Sequence, residues 1–92
     1  MEETLHVEFL VSGLVQGVGF RYFVWRNALA MELTGFVKNL YSGDVYAVVE
    51  GTKENIDSFH QQLLKGPARS RIDVVKVQYN EVTNSFNDFE II

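Results

Sequence analysis

Between residues 13 and 21 the sequence reads Gly13-Leu14-Val15-Gln16-Gly17-Val18-Gly19-Phe20-Arg21, and this run limits most of what the chain can become. Before it, Leu5, Val7, Phe9 and Val11 alternate with His6, Glu8 and Ser12. That period of two reads as a half-buried strand, with Leu10 as a lapse. After it, from Arg21 to Leu33, Tyr22, Trp25, Ala28, Leu29 and Leu33 recur at helical spacing. The chain thus passes from strand to helix through three glycines in seven residues. Glycine tolerates the left-handed backbone that turns successive N–H groups toward one point. A helix start just behind adds unpaired N–H donors and the positive end of the helix dipole. Arg21 adds a planar fork of donors. Local chemistry leaves two readings open: a socket for a phosphate-sized anion, or a flexible connection carrying a surface arginine. It is not a Walker loop, since no Gly-Lys-Ser/Thr follows, nor a dinucleotide fingerprint, since the third glycine is missing.

The rest of the chain supplies the partners for that strand and helix. Thr34-Gly35 reads as the helix stop, with Gly35 suited to a left-handed C-terminal position. Phe36 to Leu40 reads as a short strand, Tyr41-Ser42-Gly43-Asp44 as a turn, and Val45 to Glu50 as the returning strand of a hairpin. Thr52 is placed to cap a second helix with Ile56, Phe59, His60, Leu63 and Leu64 on its buried stripe, stopped by Gly66-Pro67. Ile72 to Tyr79 is a β-branched strand, and Phe86 to Ile92 a short closing one. The order β-α-β-β-α-β plus a terminal strand is the split βαβ, or ferredoxin-like, α+β arrangement. It implies an antiparallel sheet with both helices on one face. In that topology the first two strands run parallel with the third between them. Their C-terminal ends, carrying the glycine loop and Asn39, then lie about 10 Å apart at one edge of the sheet.

Composition removes several function classes. Ninety-two residues with no linker or repeat read as one domain, residues 1–92. The net charge of −4 argues against a nucleic-acid module. The absence of cysteine excludes disulfides, thiolate metal sites and a cysteine nucleophile. His6 and His60 stand alone, without a second ligand at metal spacing, so no metal or cofactor is expected. The start, including Glu2 and Glu3, is acidic, with neither a signal-peptide pattern nor a membrane-length apolar run. A soluble cytoplasmic monomer is the expectation. Lys65, Arg69 and Arg71 form a small basic patch that reads as a solvated loop. Trp25 and the Tyr22–Phe23 pair read as core.

A second motif, Gly35-Phe36-Val37-Lys38-Asn39-Leu40-Tyr41-Ser42-Gly43-Asp44-Val45, is closed by Gly51. Asparagine is disfavoured in strands, so Asn39 is either a turn-preparing residue or a functional amide with a donor and an acceptor. Taken together, the two motifs resemble those of the acylphosphatase family. Val11-x-Gly13-x-Val15-Gln16-Gly17-Val18-x-Phe20-Arg21 matches its first signature and Gly35-Phe36-Val37-Lys38-Asn39-x-x-x-Gly43-x-Val45 its second. Gly66-Pro67 and Phe86-x-x-Phe89-x-Ile91 add to the likeness, while Ser70 and Ser85 depart from it. The resemblance implies a ferredoxin-like fold and hydrolysis of acyl phosphates to carboxylate and inorganic phosphate, with phosphate also a competitive inhibitor. It implies that Arg21 binds the phosphoryl group and Asn39 positions the attacking water.

That chemistry suits the residues. A carboxylate is a good leaving group and needs no general acid, so the work left is to hold the phosphoryl oxygens and aim one water. Backbone donors of Val15, Gln16, Gly17, Val18, Gly19 and Phe20 suit the first task. Of the loop glycines, Gly17 is expected to need the left-handed backbone more than Gly19. The alternative reading is a non-catalytic module that binds a phosphorylated ligand or carbamoyl phosphate. An RNA-binding module is disfavoured by the charge and by the placement of Phe20, Tyr22 and Phe23 off any strand face.

Overall fold

The alternation in the first strand sorts its side chains onto two faces. In the computed structural model, which describes residues 3–92, Val7, Phe9 and Val11 are fully buried, while Glu8, Leu10 and Ser12 face the other way and are partly exposed. Leu10 is thus in register; it lies on the open face. Glu2 lies outside the described residues.

Seven elements follow one another: β1 (Thr4–Leu14), α1 (Phe20–Ala30), β2 (Thr34–Asn39), β3 (Val45–Thr52), α2 (Lys53–Lys65), β4 (Arg71–Asn80) and β5 (Phe89–Ile91). The strands form one sheet in the order β4-β1-β3-β2-β5. β3 lies antiparallel between β1 and β2, and β4 pairs antiparallel with the far side of β1. This is the expected ferredoxin-like α+β fold. β5 runs parallel to β2, Gly35 to Val37 beside Phe89 to Ile91, so the terminal strand makes the sheet mixed.

Both helices pack on one face, each over a narrow stripe. α2 buries Ile56, Phe59 and Leu63, and Phe59 meets Phe9 edge to face at 5.5 Å. Fully burying a side chain of that size contributes about 1.5–3 kcal/mol. Thr52 caps α2 as its sequence implies, its Oγ1 accepting the Asn55 N–H at 3.3 Å. Leu64, expected on the stripe, is instead exposed, because it lies one position past the core-facing Leu63.

The α1 stripe differs more. The helix starts at Phe20 and buries Phe20, Val24 and Ala28, spaced four apart, whereas Tyr22 and Leu29 are exposed and Trp25 is half-buried. With most residues of the segment apolar, two stripes fit the spacing, and packing selects the one that joins the same core cluster as Val15. The helix also ends earlier than Gly35. Glu32 takes the left-handed conformation at φ 55°, Leu33 N–H bonds Ala28 O at 2.9 Å, and Glu32 N–H bonds Leu29 O at 3.1 Å. That is a Schellman ending without glycine. Gly35 serves the sheet instead: a Cβ there would sit 1.8 Å from Val48 O.

The helix-free face of the sheet is partly covered by the connection between β4 and β5. Glu50, 4% exposed, holds it: its Oε2 accepts Thr83 N–H at 2.8 Å, Thr83 Oγ1–H at 2.9 Å and His6 Nδ1 at 2.6 Å, and its Oε1 accepts Asn84 N–H at 3.1 Å. Phe86 lies against Phe36 and His6 rather than in a strand. Capture of Thr83 and Asn84 is why the closing strand begins at Phe89 and not at Phe86.

Candidate functional site

The strand directions bring two segments to one end of the sheet. β1 ends at Leu14 and β2 at Asn39, and both run antiparallel to β3, with Val11 and Asn39 each paired to Val45. Between them is a cavity of about 240 Å³ lined by Val15, Gly17, Gly19, Phe20, Arg21, Tyr22, Asn39 and Ile91.

The loop from Val15 to Gly19 is held at intervals. Val15 and Phe20 are buried in the core, and Val18 packs against it. Gln16 turns away from the cavity: its Nε2 donates to Leu40 O at 2.8 Å and Asp44 O at 3.0 Å, so it ties the loop to the β2–β3 turn. Gly17 and Gly19 have φ of +75° and +76°, and open space lies where a Cβ would be. The backbone therefore does not separate the two glycines as the sequence reading expects; both occupy the region that penalises a side chain. Gly19 is also the N-cap of α1 and supplies no side-chain cap. Among the described residues, N–H groups from Gln16 to Tyr22 find no protein acceptor. Such a cluster of donors at a helix N-terminus suits an anion.

Arg21 stands in the first turn of α1, exposed, and no carboxylate among the described residues pairs with it. Opposite it, Asn39 is the last residue of β2 and pairs with Val45. Strand alternation puts Asn39 on the same face as buried Val37, at the point where the core gives way to the cavity. Its Oδ1 is buried with no hydrogen-bond partner, the one such side-chain atom among the described residues. A buried acceptor left unpaired costs about 1–3 kcal/mol, which a donor arriving in the cavity would relieve.

Of the residues singled out from sequence, Val15, Gly17, Gly19, Phe20, Arg21 and Asn39 line one cavity, and Gln16 and Val18 support it from behind. Tyr22 and Ile91 also line it, and the sequence reading assigned Tyr22 to the core. With Phe20, Val24 and Ala28 facing the core, Tyr22 falls on the opposite side of the helix, so the signal was that alternative spacing of four.

The strongest electrostatic perturbations lie elsewhere. Burial pushes the Glu50 carboxyl up, but hydrogen bonds from Thr83 N–H, His6, the Thr83 hydroxyl and Asn84 N–H outweigh it and hold the group below the carboxylate range. Burial, the hydrogen bond to Glu8 and the charge of Glu8 push the Tyr46 hydroxyl up to about 12. Arg71, part of the basic patch, is paired with Asp73 at 3.0 Å. Among the described residues no three His, Asp or Glu side chains gather as a metal site. None of their helices is long and apolar enough to cross a membrane.

The sequence model of the acylphosphatase family matches residues 7–91. A curated acylphosphatase of Moorella thermoacetica is 49% identical over 77 residues, 84% of this chain and 83% of that one. One from Mannheimia succiniciproducens is 45% identical over 87 residues, 95% and 97% of the two chains. The crystal structure of acylphosphatase from Bacillus subtilis superposes with a TM-score of 0.93 at 34% identity, covering 96% of this chain and 98% of that one.

Proposed function

Because the chain belongs to the acylphosphatase family, we propose that it hydrolyses acyl phosphates by direct attack of water, with Arg21 and the loop amides holding the phosphoryl group and Asn39 aiming the water. The observation that carries this reading is the unpartnered, buried Asn39 Oδ1 in the cavity that Arg21 and the uncapped start of α1 line. The phosphoryl oxygens accept from the loop N–H groups and the Arg21 fork, which offset the charge that spreads over them as the bond to the leaving group loosens. Asn39 Oδ1 accepts a hydrogen bond from one O–H of a water and so turns the water's lone pair toward phosphorus. The new P–O bond forms from that water and the bond from phosphorus to the acyl oxygen breaks. The acyl oxygen departs as carboxylate, and the water's protons end on the phosphate product and in solvent. No acid is required for a leaving group this weakly basic.

The chain needs no metal or cofactor in this scheme, because the positive charge comes from Arg21 and the backbone. The described residues share one core cluster, which supports reading residues 1–92 as a single domain; a monomer is part of the same proposal. A light-scattering mass of 10.5 kDa would agree with that state. The activity test is hydrolysis of benzoyl phosphate by the purified chain with and without EDTA. Turnover that persists in EDTA, and that Arg21→Ala suppresses while raising the inhibition constant for phosphate, agrees with the scheme. Phosphate binding without turnover would instead identify a non-catalytic binding module.

A further inference from the structure

The face of the sheet opposite the helices takes no part in the reaction above. The connection between β4 and β5 closes one half of it, with Phe86 against Phe36 and His6. The other half is a cavity of about 740 Å³, and strand register builds it from one row across four strands. Lys38 pairs with Tyr46, Tyr46 with Leu10, and Leu10 with Lys76. Residues opposite one another share a face. The row therefore carries a lysine at each end and the half-buried Tyr46 and Leu10 between them, and Leu40 extends this floor. Three strand spacings separate the two lysine backbones, about 14 Å.

The chain has 12 acids and 8 bases, yet neither lysine has a carboxylate within ion-pairing distance among the described residues. The carboxylate that does line the cavity is engaged elsewhere. Glu8 Oε1 accepts the Tyr46 hydroxyl at 2.7 Å, and its Oε2 accepts the Asn80 amide and lies 3.6 Å from His6 Nε2. Lys38 leans over the floor, its Nζ 5.9 Å from the Tyr46 ring centroid and 6.0 Å from that of Phe36. Sites for small organic molecules enclose about 300–1,000 Å³, mostly apolar with a few fixed polar groups, and this cavity has that size and make-up. Two cations on a chain of net charge −4 are too few to hold a nucleic-acid backbone.

We propose that this cavity is a second binding site, for an elongated organic dianion whose flat apolar body lies on Leu10, Tyr46 and Leu40 and whose two acidic ends meet Lys38 and Lys76. It is separate from the Arg21 cavity, because alternation along β2 puts Asn39 on the helix side of the sheet and Lys38 and Leu40 on the other. It stands whether or not the chain hydrolyses acyl phosphates.

The probe is the para,para′-dicarboxylate of biphenyl, titrated into the isotope-labelled full chain in excess inorganic phosphate and followed by amide NMR shifts. Binding should persist in phosphate, with the shifted amides clustered at Leu10, Lys38, Tyr46 and Lys76. Lys38→Gln and Lys76→Gln keep most of the lysine stem and should each weaken binding about two- to fivefold, the range of one exposed ion pair. A comparison on the wild type alone does not depend on how the variants fold: the biphenyl monocarboxylate should bind more weakly than the dicarboxylate by a similar factor, and added salt should narrow the gap. No binding at millimolar dicarboxylate would overturn the proposal, as would equal affinity for the two carboxylates or an affinity that both lysine variants leave unmoved. Displacement by phosphate, with shifts in the glycine loop, would place the probe in the Arg21 cavity instead. A dimer in light scattering that Lys76→Glu splits would give this face to a second copy of the chain and overturn the proposal too.

Discussion

Gln16 offers a way to separate support of the loop from contact with the ligand. Its amide reaches away from the cavity and donates to two carbonyl oxygens, Leu40 O at 2.8 Å and Asp44 O at 3.0 Å. Each carbonyl also has a backbone donor, Gly43 N–H at 3.1 Å on Leu40 and Leu40 N–H at 2.9 Å on Asp44. Gln16→Ala therefore removes two hydrogen bonds without stranding either acceptor. At about 0.5–1.5 kcal/mol per bond, with no orphan left behind, the cost should be about 1–3 kcal/mol. For a domain of this size that lowers Tm by roughly 4–24 °C. Gln16→Glu should cost more, about 2–4 kcal/mol at neutral pH, because an ionised carboxylate would face two carbonyl oxygens with no donor between them. Repulsion of that kind raises the pKa of the introduced carboxyl in the folded state. Its penalty is then absent below the ordinary carboxylate range and grows as the pH rises through it. Thermal unfolding followed by circular dichroism at acid and neutral pH measures all of this. The reasoning fails if Gln16→Ala melts with the wild type, or if Gln16→Glu is no worse than Gln16→Ala at neutral pH.

The other expectations rest on separate features. Gly17→Ala and Gly19→Ala should each cost about 1–2 kcal/mol of stability for forcing a side chain into the left-handed region, and denaturant melts should find them within error of one another. Glu50 has a depressed pKa in the folded state, so it adds stability above its ordinary value of 4.5 that is lost as the pH falls through the folded value. Glu50→Gln should melt lower at neutral pH and show a shallower decline of Tm between neutral and acid pH.

The fold was legible because its elements carry local signals that agree with one another. The strand alternation of Val7, Phe9 and Val11, the Thr52 cap and the Gly66-Pro67 stop each appear as read. The errors fall where the local signal is degenerate. From Phe20 to Leu33 apolar residues are so dense that two helical stripes fit, and only packing against the sheet decides between them. Gly35 looks like a helix cap in sequence, but its small size serves the approach of the Val48 carbonyl, a contact far away along the chain. The strap closed by Glu50, Thr83 and Asn84 depends on partners more than thirty residues apart and leaves no periodic trace. In the site, the glycines and Arg21 were legible because a strand-to-helix junction puts its own donors together. Tyr22 and Ile91 were not, since each is an ordinary apolar residue until the sheet order brings it to the cavity.

The central claim is that Asn39 acts on the water while Arg21 and the loop hold the phosphoryl group, and the Asn39→Ala variant tests it most directly. Fold is checked first by circular dichroism, since Asn39 borders a turn. With benzoyl phosphate as substrate and phosphate as competitive inhibitor, kcat should fall on the order of 10²–10³, the effect of removing one preorganised polar group. The phosphate inhibition constant should stay near the wild-type value, because the water matters only as the new bond begins to form. A folded Asn39→Ala protein that keeps wild-type kcat would contradict the account, and so would one whose loss appears wholly as weakened phosphate binding.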